Sequence, residues 1–144
     1  MMAPEKTRKE GRDMAKATKG KQLSFFLPNK VGLLSEMTSF ITAAKINIEA
    51  ICAYEMEDEG FFMLITDNNA KAKKILSHMG AEVKLEDIIL VEMPNKFGQL
   101  RETAKIISDA GIDITNVYGS PVKGKMTLIL KTDNDRKAIQ VLNK

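Results

Sequence analysis

Two five-residue stretches carry the chemistry this sequence can offer: Pro28-Asn29-Lys30-Val31-Gly32 and Pro94-Asn95-Lys96-Phe97-Gly98. Each follows a short apolar run and precedes a segment with apolar residues at three- and four-residue spacing. Each therefore reads as the loop from a strand into a helix. The first N–H groups of a helix have no intrahelical partner, and the helix dipole adds partial positive charge there. Those donors fall near Val31, Gly32 and Leu33, and near Phe97, Gly98 and Gln99. Gly32 and Gly98 leave room for close approach, and the amides of Asn29 and Asn95 both donate and accept. Such a set fits the carboxylate and the ammonium of a free amino acid. The same residue types also shape a tight turn without any ligand, and the loops alone do not choose between the two.

The elements around the loops repeat at a constant offset of 66 positions (28 to 94), with no gap. Leu34, Glu36, Ile41, Ala44, Ile46 and Ile48 return as Leu100, Glu102, Ile107, Ala110, Ile112 and Ile114. Thr66-Asp67-Asn68 and Lys71-Ala72 return as Thr132-Asp133-Asn134 and Lys137-Ala138. One offset held through strands, helices and turns marks a duplicated unit. Each copy reads as a strand (22–27), a helix (33–44), two strands (46–54 and 60–66) and a second helix (69–79). A half-exposed strand over 81–85 completes copy one. No turn separates it from the next strand, 88–93, so the two read as one continuous ribbon and not a hairpin. The expected fold class is α+β: two tandem ferredoxin-like βαββαβ units, with antiparallel sheets and helices on one face. Residues 22–86 form the first unit and 87–144 the second. The second lacks a counterpart for its last strand, which leaves Ile88–Met93 as an open edge. Either a partner supplies that strand or the sequence is cut short at Lys144.

Gly111 reads as the left-handed residue ending the first helix of copy two, and Lys45 stands at that place in copy one. The net charge of +3 comes from residues 1–21, which carry seven basic and three acidic groups. That stretch reads as a disordered basic tail, and Met14 is an alternative start to Met1. The remainder is nearly neutral, unlike the basic face that nucleic-acid binding requires. An RNA-recognition module would also show exposed aromatics on its central strands, and copy two has none there. Apolar runs are too short to cross a bilayer, no export signal is present, and the single Cys52 fits a reducing compartment. The chain reads as cytoplasmic, with no membrane partner.

Catalytic groups are scarce. His78 lies near a helix end with no nucleophile suggested beside it, and Cys52 and the methionines read as core. Thr66-Asp67-Asn68 and Thr132-Asp133-Asn134 sit where helix caps belong, and nothing clusters with them to make a metal site. No enzyme, cofactor or metal is expected.

The pattern Asn-x-x-Gly-x-Leu after the first strand, followed by Ile46-Asn47-Ile48 or Ile112-Asp113-Ile114 opening the second, resembles the ACT domain family. The resemblance covers both copies and is to small proteins made of two ACT units. It implies a non-catalytic sensor that binds a free amino acid at an interface between ACT units, held by the loop of one and the second-strand start of its neighbour. By position this implicates Asn29, Lys30, Val31, Gly32, Leu33, Asn47 and Ile48. In copy two it implicates Asn95, Lys96, Phe97, Gly98, Gln99, Asp113 and Ile114. Val31 and Phe97 stand where many members have proline, and Asp113 replaces an amide with a carboxylate. The resemblance further implies a homodimer or higher oligomer and a metabolic enzyme as partner. The alternative is an assembly module or regulatory subunit with no ligand of its own, to which the acidic hairpin 55–59 and basic Lys123 and Lys125 point.

Overall fold

The computed structural model describes residues 15–144. In chain order the elements are β1 (Lys16–Pro28), α1 (Leu33–Ala43), β2 (Ile48–Met56), β3 (Glu59–Thr66) and α2 (Asn69–His78). There follow β4 (Lys84–Pro94), α3 (Gln99–Asp109), β5 (Ile114–Val122), β6 (Lys125–Thr132) and α4 (Asp135–Leu142). The class is α+β, with the βαββ pattern stated twice in antiparallel strands.

The described residues divide into two units, one of residues 21–86 and one of 87–144 together with 15–20. In the first, the strand order is β2-β3-β1-β4. Alternate residues of β1 and β3 (Leu23, Phe25, Leu27, Phe62, Leu64) face a core completed by Leu33, Met37 and Ile41 of α1 and Ala72 and Leu76 of α2. These are the period-two and period-three-to-four positions that place side chains on one face of a strand or helix. Phe25 and Phe62 stack there at 5.1 Å. The second unit repeats this with Ile89, Val91, Met93, Leu128 and Leu130 against Ile107, Ala138 and Leu142.

The basic stretch departs from expectation. Residues 1–14 lie outside the described residues, but 16–21 belong to β1, which starts six positions before Gln22. Ala15 and Ala17 are buried in the second unit's core. In that unit the order is β1-β4-β6-β5, so residues 16–20 flank β4 where a fourth strand belongs. The expected open edge is covered by the chain itself, neither by a partner nor left bare through a shortened end. Small residues suit the place: a Cβ on Gly20 would lie 3.3 Å from the side chains of Ile88 and Leu90. Asn143 then closes the outer side of this strand. Its Oδ1 accepts from the Ala17 N–H (2.8 Å) and its Nδ2 donates to the Ala17 carbonyl (2.9 Å).

β4 is unbroken from Lys84 to Pro94, as the missing turn requires, but Ala81–Val83 precede it and Leu85 is half-exposed instead of facing the core. Cys52 is only partly buried: its neighbour Ala53 pairs with core Phe62, whereas Cys52 pairs with Met63 outside the core cluster. Met56 is half-exposed at a hairpin.

Helix ends explain why β2 and β5 begin at Ile48 and Ile114, two residues later than the apolar runs suggest. Lys45 (φ 59°) and Gly111 (φ 73°) are both left-handed. The Lys45 N–H donates to Thr42 O (2.9 Å) and the Ile46 N–H to Ile41 O (3.2 Å). Gly111 and Ile112 do the same with Ser108 and Ile107, at 2.9 and 3.2 Å. These are Schellman closures, which use the N–H groups of Ile46 and Ile112 inside the cap.

Candidate functional site

The Asn-x-x-Gly loops are tied at their start to the neighbouring hairpins. The Asn29 N–H donates to Asp58 O and the Asn95 N–H to Gly124 O, both at 2.8 Å. Among the described residues the side-chain amides of Asn29 and Asn95 have no hydrogen-bond partner. The loops end at Gly32 (φ 87°) and Gly98 (φ 81°), left-handed N-caps that place no side chain on the helix. The Leu33 N–H turns back to Lys30 O (3.2 Å), and the first regular helical bond is Glu36 N–H to Gly32 O (2.9 Å). The N–H groups of Leu34 and Ser35 precede it and have no residue four back within the helix to accept from them.

The other helix of each unit is different. Asn68 and Asn134 cap α2 and α4, their side chains accepting from the Lys71 N–H (3.1 Å) and the Lys137 N–H (3.2 Å). Side-chain caps therefore close α2 and α4, while glycine leaves α1 and α3 open. Asp67 and Asp133 are also engaged, each accepting at 3.0 Å from the backbone N–H of Asn47 or Asp113. Both Thr-Asp-Asn stretches are structural, and among the described residues no acidic, cysteine or histidine group could hold a metal ion.

A cavity of about 300 Å³ opens beside the first loop. Asn29, Lys30, Gly32, Leu33 and Leu34 form one side, and Ala53, Tyr54, Glu55, Gly60 and Phe62 the other. Small-molecule pockets span ~300–1,000 Å³, so this one suits a small ligand. Leu33 and Phe62 are buried and give an apolar floor. At the rim Lys30 Nζ lies 2.7 Å from Glu36 Oε2, an exposed ion pair that a ligand anion can compete for. Glu55 Oε2 accepts from the Asp58 N–H (3.0 Å), which holds the acidic turn closed.

Of the residues the sequence implicates in copy one, the structure gathers Asn29, Lys30, Gly32 and Leu33. Val31 is wholly exposed and lines nothing, as is Phe97 in copy two. Asn47 and Ile48 stand at the opposite end of the sheet: Ile48 pairs with Thr66, whereas Pro28 and Met56 both pair with Glu59. Eight residue steps along β2 separate the two ends, roughly 25 Å. Asp113 and Ile114 are likewise remote from Asn95, because Ile114 pairs with Thr132 and Asn95 meets Gly124. A single unit therefore does not bring loop and strand start together. Ala53, Tyr54, Glu55, Gly60 and Phe62 were not singled out from the sequence. Their signal lay in the register set by the Glu57-Asp58 turn, which pairs Gly60 with both Leu27 and Glu55.

The sheet face away from the helices carries Phe26, Phe61 and Tyr54 side by side, with ring centroids 5.6 and 5.3 Å apart. A base-stacking platform needs cationic flanks. This row instead abuts Glu55, Glu57, Asp58 and Glu59, and its counterparts in the second unit are Glu92, Thr127 and Ser120.

Two βαββ units, each with a glycine-capped helix at its first loop, define the class. A family model described as an ACT domain pair matches residues 18–144, and this chain belongs to that family. It is similar in structure to protein BT0572 from Bacteroides thetaiotaomicron, at 32% identity over 88% of each chain, with a TM-score of 0.82. The regulatory subunit of aspartate kinase from Thermus thermophilus shares the fold at 13% identity, over 88% of this chain and 93% of that one, with a TM-score of 0.65. So does E. coli aspartokinase III, solved in complex with lysine and aspartate, at 12% identity over 89% of this chain and 31% of that one (TM-score 0.57). No curated protein matches the chain. ACT domains are regulatory modules, and among the described residues no helix is long and apolar enough to cross a membrane.

Proposed function

We propose that this protein is a non-catalytic amino-acid sensor whose ligand binds at the first loop. The observation that carries this reading is the pairing of an open helix N-terminus with an unpartnered Asn29 amide at the mouth of a cavity. Free N–H groups and the helix dipole favour a carboxylate, and Lys30 adds to that field. The Asn29 carbonyl oxygen and the Glu55 carboxylate face the ammonium. Regulatory subunits of aspartate kinase share the fold, and an aspartokinase of similar fold was solved with amino acids. Those resemblances support a regulatory role beside an enzyme of amino-acid metabolism. Because Asn47–Ile48 and Asp113–Ile114 lie far from the loops of their own units, they would reach a bound ligand only from a different ACT unit. The protein on this reading is a homodimer or larger, and it works in the cytoplasm.

A thermal-shift screen against the twenty free amino acids tests this directly. A ligand that binds only the folded state raises Tm by mass action. One amino acid should raise it, and Asn29→Ala should abolish the rise. No shift with any of them at millimolar concentration sinks the reading.

One observation favours assembly without a ligand. The hairpin tips are opposite in charge at equivalent places, Glu57-Asp58 against Lys123-Gly124, and each carries an exposed apolar residue, Met56 or Val122. Steering between copies would then require Lys123 and Lys125. Sedimentation mass unchanged by Lys123→Glu with Lys125→Glu removes that reading.

A further inference from the structure

We infer that the two loops are unequal receptors: the ligand is taken up by the first unit alone, Gly60 holds that cavity open, and the ligand is an amino acid with an apolar side chain. This rests on the amino-acid reading above and specifies it.

The two units provide their own comparison. Gly60 lies on the core-facing side of β3, opposite Leu27 and Glu55. A Cβ built on it would lie 2.9 Å from Leu33 Cδ2, 3.3 Å from Phe62 Cε2 and 3.7 Å from Asn29 Oδ1. All three neighbours line the cavity, so a side chain at this position would have to push Leu33 and Phe62 into it. The backbone at Gly60 is not left-handed, so glycine is not required there by φ. Its lack of a side chain lets Leu33 and Phe62 pack close against the strand as the cavity wall, and does not serve a turn.

In the second unit the same position is Met126, opposite Met93 and Pro121. Met126 packs against that unit's buried core. An unbranched thioether is well suited to filling an irregular gap. The neighbouring positions change with it: Gln99 stands for Leu33 and Leu128 for Phe62. The second loop keeps the asparagine and the glycine-capped helix but has the Met126 side chain where the first unit has none.

The walls of the open cavity set the ligand class. Leu33, Ala53, Gly60 and Phe62 present no charge, whereas Lys30, Asn29 and Glu55 sit at the rim. A zwitterion can hold its charged ends at the rim only if its side chain tolerates an apolar interior. A charged side chain buried there would have no partner.

The full chain, titrated calorimetrically with L-leucine, L-phenylalanine, L-aspartate and L-lysine, tests the inference. The expected result is uptake of leucine or phenylalanine, one per chain, in preference to the charged pair. Gly60→Met should weaken binding roughly tenfold or more, while Met126→Ala leaves the affinity of the first unit unchanged. Two ligands per chain, wild-type affinity in Gly60→Met, or preference for aspartate or lysine overturns it. Should Gly60→Met not fold, amide resonances of the wild-type chain decide. Leucine or phenylalanine should perturb residues 29–34 and 53–62 and leave 95–100 and 119–128 in place; perturbation of both sets refutes the asymmetry. If none of the four binds and the twenty-member screen is also silent, the sensor reading itself is refuted.

Discussion

Lys45→Gly should make the protein more stable, against the usual effect of a new glycine. Lys45 holds a left-handed backbone at the end of α1, with φ 59°. That conformation costs an L-residue about 1–2 kcal/mol. Glycine removes the cost but adds about 0.4–1 kcal/mol of unfolded-state entropy. The net is a stabilisation of about 0.5–1 kcal/mol. Little is lost with the side chain, which is exposed, and the closure bonds to Thr42 and Ile41 come from the backbone. The counterpart Gly111 makes the same bonds at φ 73°, so Gly111→Lys should destabilise by a similar amount, and the double exchange should nearly cancel. Urea unfolding at constant m-value reads the change as a shift in midpoint. For a unit of this size melting alone, the corresponding rise in Tm is about 2–8 °C. A loss of about 1 kcal/mol in Lys45→Gly, as for glycine in a helix interior, would refute the strain argument.

Three further outcomes follow from the same contacts. Removing residues 1–20 should strip the flanking strand from β4 and abolish or broaden the second unit's unfolding transition, whereas a chain beginning at Met14 should keep it; calorimetry of the two chains distinguishes them. Asn143→Ala should cost about 1–3 kcal/mol, since it leaves the part-buried N–H and carbonyl of Ala17 without their partner, and faster exchange of the Ala17 amide would locate the effect. Asn68→Ala and Asn134→Ala should each cost about 1 kcal/mol in urea unfolding through loss of a helix cap.

Local rules read much of this fold from the chain. The constant repeat offset carried the element order, and Gly111 and Lys45 were identifiable as left-handed because they fall one place after an amphipathic run. The N-terminal strand was hidden for a physical reason. Its core-facing residues are the small Ala15 and Ala17, and Lys16, Lys19 and Lys21 stand among them, so the strand registers as charge and not as apolar periodicity. Half of the candidate site was equally hidden. Asn29 to Leu33 are contiguous and carry loop chemistry, but Ala53, Tyr54, Gly60 and Phe62 become their neighbours only through the register of a hairpin. Loop and strand start were grouped by resemblance across neighbouring units, and within each unit they stand at opposite ends of the strands.

The copies keep their backbone ties more closely than their side chains. At the sheet end where β2 and β5 begin, the two units make the same bonds: Asp67 to the Asn47 N–H, Asp133 to the Asp113 N–H, and the paired closures of Ile41–Ile46 and Ile107–Ile112. At the hairpin end the backbone ties are again shared, yet the side chains diverge together: Gly60 and Met126, Leu33 and Gln99, Tyr54 and Ser120, Phe26 and Glu92, Glu57 and Lys123. Substitutions between the copies run along the whole repeat, so those at the hairpin end matter for what they change there: Gly60 and Leu33 in one unit give way to Met126 and Gln99 in the other. The strand starts, uniform in backbone bonding, differ there in side chains that include Asn47 against Asp113, an amide against a carboxylate. That difference acts only on whatever approaches the strand start from outside its own unit.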